Sequence, residues 1–113
     1  MHELGILLQV IERVETVARQ NDVTSIQTLV LQIGELSSMI PRYVEACYPA
    51  AIEGTLLGDS ELVIEILPGN GRCRSCGAVY NLLSEKNHCP KCDSGDFLVL
   101  SGKEFNIKEI VAY

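Results

Sequence analysis

The sequence predicts an α/β (α+β) fold: two helices packed on a small mixed or antiparallel sheet, with a small four-cysteine domain inserted into it. Three observations carry that expectation. The N-terminal segment repeats apolar residues at helical spacing, three later segments alternate side chains as strands do, and four of the five cysteines form two C-x-x-C pairs.

Leu4, Leu7, Leu8, Ile11, Val14 and Ala18 recur at helical spacing, opposed by Gln9, Glu12, Arg13, Thr16 and Arg19, so a helix is expected at about residues 3 to 20. Glu15 and Arg19 form a favourable i, i+4 pair, and Asn21 and Asp22 supply the stop. From Thr24 the pattern changes to SIQTLVLQIGEL, in which Leu29, Leu31 and Ile33 share one strand face and Val30 and Gln32 the other. Gly34 ends that strand. Ser37 and Ser38 offer caps, Pro41 suits a first helical turn, and a second helix is expected over about 41 to 53, with Val44, Cys47, Tyr48 and Ala51 as its apolar stripe and Gly54 closing it.

ELVIEIL at 61–67 reads as a strand, and PGNG at 68–71 reads as a break. After the cysteines, Phe105, Ile107 and Val111 alternate with Asn106 and Lys108, while Ile110 and Ala112 reach the opposite face, which makes a long terminal strand. That strand needs a sheet, and the candidates all precede Pro68. The expected division is therefore a discontinuous α/β domain of residues 1–69 plus 102–113, interrupted by a domain at 70–101. A long strand after a Ser101-Gly102 hinge also allows exchange with a second copy, so a homodimer is conceivable.

With 113 residues, the chain has the length of one modest domain. A formal net charge of -6 carries the wrong sign for neutralising phosphates, so metal cations and basic protein surfaces are better partners than nucleic acid. Residues 1 to 20 lack a basic leader and a cleavage motif, Glu3, Glu12 and Glu15 interrupt their apolar stretch, and no run approaches a membrane span; the expectation is a cytoplasmic protein.

Cys73-Arg74-Ser75-Cys76-Gly77 and Cys89-Pro90-Lys91-Cys92-Asp93 have the spacing of two metal-binding knuckles. A C-x-x-C turn lets two sulfurs converge on one ion, and four thiolates suit tetrahedral zinc at about 2.3 Å. Gly77 and Asp93 stand where a left-handed residue is often needed, and Pro90 pre-sets φ. The inserted domain is therefore zinc-ribbon-like. Disulfides are the competing reading, and iron suits the same S₄ geometry. Four thiolates leave no open position for water, so the ion is structural and is worth about 10–16 kcal/mol to a segment with few large apolar side chains. His88 reads either as an exchangeable ligand or as a solvated loop histidine. Cys47 reads as core.

The chain opens Met1-His2-Glu3. A terminal amine titrates near about 7.7–8.0, so part of it is a neutral donor at physiological pH, and His2 adds an imidazole. The first amides of a helix have no intrahelical acceptor, so a metal bound through them costs no helix bond. Amine, deprotonated amide and imidazole can wrap one ion in fused rings, a set that favours square-planar Ni(II) or Cu(II) over tetrahedral zinc. The competing reading is an ordinary polar second residue. A bulky second residue also favours retention of Met1.

MHE at the start, IGELSSMIPRYVEACYPAAIEGT in the middle and CRSCG…CPKCD before a terminal strand together resemble the hydrogenase nickel-incorporation family, HypA/HybF, over essentially the whole chain. The resemblance implies a non-enzymatic nickel metallochaperone. It implies that His2, the Met1 amine and neighbouring amides, Glu3 among them through its amide, bind Ni(II), and that Cys73, Cys76, Cys89 and Cys92 hold structural Zn(II). It further implies delivery of nickel to the large subunit of [NiFe]-hydrogenase in cooperation with a GTPase, with urease as a client of some members. Asp93 departs from the glycine usual at that position, and His88 stands alone where relatives often cluster histidines. Two other classes compete: a zinc-ribbon scaffold or adaptor without nickel transfer, and a small rubredoxin-like redox protein.

Overall fold

The computed structural model describes residues 2–113. The chain forms two compact units: one takes the chain through Gln32 with Met39–Glu65 and Asn106–Tyr113, and the other takes Ile33–Ser38 with Ile66–Phe105.

In the first unit, α1 runs Glu3–Gln20. Its buried residues are Glu3, Leu7, Ile11, Val14 and Ala18. Leu4 and Leu8, expected on the stripe, are 39% and 48% exposed. At about 100° per residue they fall on one flank of the line through Leu7, Ile11, Val14 and Ala18, while Glu3 falls on the other flank and is the one that is covered. The helix stops in a Schellman arrangement: Asp22 has φ +58, its N–H bonds the Arg19 carbonyl at 3.2 Å, and the Val23 N–H reaches back to the Ala18 carbonyl at 2.8 Å.

β1 spans Ile26–Gly34, β2 Glu61–Leu67 and β6 Phe105–Ala112, in the order β2-β1-β6. The terminal strand thus joins the sheet formed before Pro68, as its alternation required. On β1, the central strand, Leu29, Leu31 and Ile33 are fully buried on one face, and on the other, outer face Val30 is buried too while Thr28 and Gln32 are half-buried. Across that outer face Gln32 donates to Glu65 at 3.4 Å, and Lys108 pairs with Glu65 at 2.7 Å.

α2 spans Pro41–Ile52 and buries Val44, Tyr48, Ala51 and Ile52, with Cys47 half-buried. It packs on α1. Ser37 and Ser38 do not cap it. The cap residue is Ile40, without a side-chain cap bond, because the chain stays extended through Ile40 (φ -100, ψ 117) and turns helical only at Pro41. Glu15 ties α1 to the segment after α2 by accepting the Leu56 N–H at 3.1 Å.

The second unit holds β3 (Asn70–Cys73), β4 (Val79–Asn81) and β5 (Phe97–Val99), with β3 central and antiparallel to both neighbours. The expected break at 68–71 therefore ends at Gly69, and Asn70 already pairs with Asn81. Gly71 is in the strand for packing: a Cβ there would lie 2.7 Å from Leu82 Cδ2. The small core of this unit is Cys73, Tyr80, Leu82 and Cys89, with Leu36, Phe97 and Val99 against it.

Candidate metal centre

Cys73 ends β3, and the chain turns immediately. The Cys73 carbonyl accepts the Gly77 N–H at 2.9 Å while the Cys73 N–H donates to the Ala78 carbonyl at 2.8 Å. The second pair repeats this pattern: the Cys89 carbonyl accepts the Asp93 N–H at 2.8 Å, and the Cys89 N–H donates to the Ser94 carbonyl at 2.9 Å. Gly77 (φ +78) and Asp93 (φ +62) occupy equivalent left-handed positions, so both residue choices are explained by one backbone turn used twice.

The two turns bring the four sulfurs within 4.8 Å of one another. Cys73 Sγ lies 3.5 Å from Cys92 Sγ, and Cys76 Sγ lies 3.5 Å from Cys89 Sγ; no pair is bonded. A tetrahedron of bonds of about 2.3 Å has edges of roughly 3.8 Å, so the cluster fits a zinc-sized ion. Cys73 and Cys89 are buried, and Cys76 and Cys92 face outward. His88 is exposed and outside the cluster; its N–H bonds the Glu85 carbonyl at 3.1 Å.

Packing four thiols together separates their acidities. The Cys76 N–H, pointing at Cys73 Sγ from 3.4 Å, helps to bring the Cys73 thiol down to about 6 from an ordinary 9.0. At Cys92 the Ser94 N–H favours the thiolate, but contacts with Cys73 and the other sulfurs outweigh it and push the thiol up to about 12. At Cys89 burial raises the thiol, but the N–H groups of Cys92 and Lys91 outweigh it and lower it, so the metal-free site gives up its first protons readily and resists full ionisation. A divalent cation removes that conflict, since its charge stabilises all four thiolates together.

Two further residues of this unit carry no signal in the sequence alone. Tyr80 is buried, its hydroxyl has no partner among the described residues, and its pKa is raised, first by burial and then by the negative potential of the cysteines. Glu35 accepts the Gly69 N–H at 2.7 Å and an Asn81 side-chain N–H at 2.9 Å, and these bonds, the one from Gly69 first, lower its pKa. An isolated Glu after a strand carries no sequence signal of such bonds.

The other candidate residues stand at the start of α1. His2 is exposed, has helical torsions (φ -86, ψ -10) and accepts the Ile6 N–H at 3.0 Å through its carbonyl, so its own N–H and that of Glu3 precede the helix's first bonded amide. Glu3 is buried, and its carboxylate accepts the Ile40 N–H at 3.4 Å. The Met1 amine lies outside the described residues. Among those residues, no further group of three or more His, Cys, Asp or Glu side chains converges, and no helix is long and apolar enough to cross a membrane.

The sequence model of the family described as "Hydrogenase/urease nickel incorporation, metallochaperone, hypA" matches residues 1–112. A hydrogenase maturation factor HypA from Chlorobium luteolum is 34% identical over 98% of this chain and 95% of its own. One from Geobacter metallireducens is 37% identical, covering 97% of each. Among solved structures, the solution structure of the Ni metallochaperone HypA from Helicobacter pylori superposes with a TM-score of 0.68 at 24% identity, over 99% of this chain and 97% of that one. A second solution structure of a HypA protein gives 0.71 at 24% identity, over 100% and 97%. At that identity the structural likeness concerns the fold.

Proposed function

This chain belongs to the HypA family of nickel-incorporation metallochaperones, and from that premise we propose how its residues divide the work. As a metallochaperone of hydrogenase maturation it carries a metal and is not an enzyme. Nickel is its cargo, held at the N-terminus by the His2 imidazole, the Met1 amine and the His2 and Glu3 amides. Cys73, Cys76, Cys89 and Cys92 hold a structural zinc ion. When bound, zinc supplies a cross-link between the two turns, and its full thiolate shell leaves no position for cargo. The α/β domain of residues 1–69 plus 102–113 carries nickel, and the domain at 70–101 carries zinc.

The observation that carries this reading is the exposed His2 at the head of α1, followed by amides that the helix does not use. Each amide that binds nickel must first lose its proton, so loading should tighten as pH rises. An exposed terminal chelate also suits a carrier, because a partner can reach the ion as it leaves. The partners proposed are the GTPase of the maturation pathway and the large subunit of [NiFe]-hydrogenase, with urease as a further client. A homodimer and a cytoplasmic location complete the proposal.

Calorimetry of His2→Ala against the unaltered chain tests it. Nickel affinity should fall by an order of magnitude or more, while zinc stays at one ion per chain. Unchanged nickel affinity and stoichiometry would remove the terminal site.

A further inference from the structure

Among the described residues, Glu3 is the one charged side chain that is buried, at 3% exposure. Its carboxylate accepts the backbone N–H of Ile40 at 3.4 Å, from 37 positions away in the chain. Ile40 is the cap residue of α2, and that helix has no side-chain cap bond of its own. The start of a helix combines N–H groups lacking intrahelical acceptors with the positive end of the helix dipole. In a capping box, a Glu three residues into the helix reaches back to the cap N–H. Here a Glu from the first turn of a different helix makes that bond.

Next to Glu3 stands His2, exposed and with helical torsions. Consecutive helical side chains diverge by about 100°, so burying the carboxylate turns the imidazole outward. We propose that Glu3 is a positioning residue for the terminal metal site: anchored on Ile40, its carboxylate fixes the first turn of α1 so that the His2 imidazole and the His2 and Glu3 amides are presented together. This rests on the reading of His2 as a nickel ligand. The carboxylate is not itself a ligand, being covered and committed to α2. Helix ends otherwise fray, and a frayed first turn would have to be ordered as the ion binds.

The full zinc-loaded chain tests the proposal in three variants: Glu3→Ala, Glu3→Gln and Ile40→Pro, the last removing the donated N–H. Nickel affinity is read by calorimetry and ligand geometry by the visible absorption of the bound ion. Glu3→Ala should weaken nickel by about tenfold or more, the factor that corresponds to ordering one backbone residue, with the planar nickel band unmoved. Glu3→Gln keeps an acceptor oxygen at the same reach and should recover most of the affinity. Ile40→Pro should weaken nickel similarly and add nothing to Glu3→Ala.

Wild-type affinity in Glu3→Ala, even with a lowered melting temperature, would reduce Glu3 to a structural residue and overturn the proposal. A displaced band in Glu3→Ala with a silent Ile40→Pro would make the carboxylate a ligand and overturn it equally. If Glu3→Ala does not fold, the other two variants decide by the same readouts: a silent Ile40→Pro overturns the proposal. His2→Ala run alongside separates the two readings. Loss of nickel there with wild-type affinity in the Glu3 variants overturns the positioning role alone, and no loss there overturns the terminal site beneath it.

Discussion

Replacing Gly71 by alanine tests whether that residue is a chain breaker or a packing surface. A Cβ at Gly71 would lie 2.7, 3.1 and 3.3 Å from Cδ2, Cγ and Cδ1 of Leu82. Non-bonded carbons rest about 3.5–4.0 Å apart, so the closest pair overlaps by roughly 0.8 Å. Leu82 is 2% exposed and packed with Cys73, Tyr80 and Cys89, so it has little room to retreat. Overpacking of this kind costs about 1–3 kcal/mol. Alanine's lower backbone entropy cost returns about 0.5–1 kcal/mol in a strand, and the clash outweighs it. Because the thiolate site and the fold of this unit form together, the net loss, up to about 2.5 kcal/mol, should appear as zinc affinity, weakened by up to about 60-fold in a chelator competition. Leu82→Ala alone should cost about 2–5 kcal/mol through its cavity. All three short contacts come from that one side chain, so the double variant should lie below the sum of the singles by nearly the whole Gly71→Ala cost. Wild-type zinc affinity in Gly71→Ala, or strict additivity in the double variant, would refute the packing explanation.

Tyr80→Phe removes a buried hydroxyl that has no partner among the described residues, and it should raise the thermal midpoint of the zinc-loaded chain by the equivalent of about 1 kcal/mol; a clear decrease would reveal a partner. Glu15→Ala leaves the Leu56 N–H without its acceptor and should cost about 1–2 kcal/mol in denaturant unfolding, whereas Glu15→Gln should lose less than half of that. In the metal-free chain, thiolate ultraviolet absorbance should show a first step near pH 6, from Cys73, and a last one only near pH 12, from Cys92. With its folded pKa below the ordinary 9.0, Cys73 contributes stability that is complete above that value and is lost as pH falls through about 6. Cys92 has the opposite sign, its contribution complete below 9.0 and lost as pH rises towards 12. A single step from all four thiols near 9 would contradict this account.

Much of the fold was legible because its signals are local. The α1 and β2 boundaries, the left-handed Gly77 and Asp93, and the terminal strand's need for an earlier sheet all follow from periodicity, spacing or backbone preference within a few residues. The strands around the cysteines were not legible: β4 and β5 have three residues each, too few for alternation to register, and Gly71 disguises β3 as a turn. Ser37 and Ser38 carried a cap signal that the extended backbone at Ile40 overrides. Leu4 and Leu8 carried a core signal, yet they fall on a flank of α1 that is left exposed.

By itself the sequence determined which residues have the chemistry: four thiols in two pairs, and an imidazole at the second position. Side-chain type and short spacing are properties of the chain before it folds. Only the tertiary structure decided that the four sulfurs converge, that β6 lies beside β1, and that the Glu3 carboxylate turns inward to Ile40 rather than outward beside His2. Those outcomes depend on contacts between residues far apart in the chain, and they become favourable only when burial and paired hydrogen bonds repay the entropy of closing the loops between them.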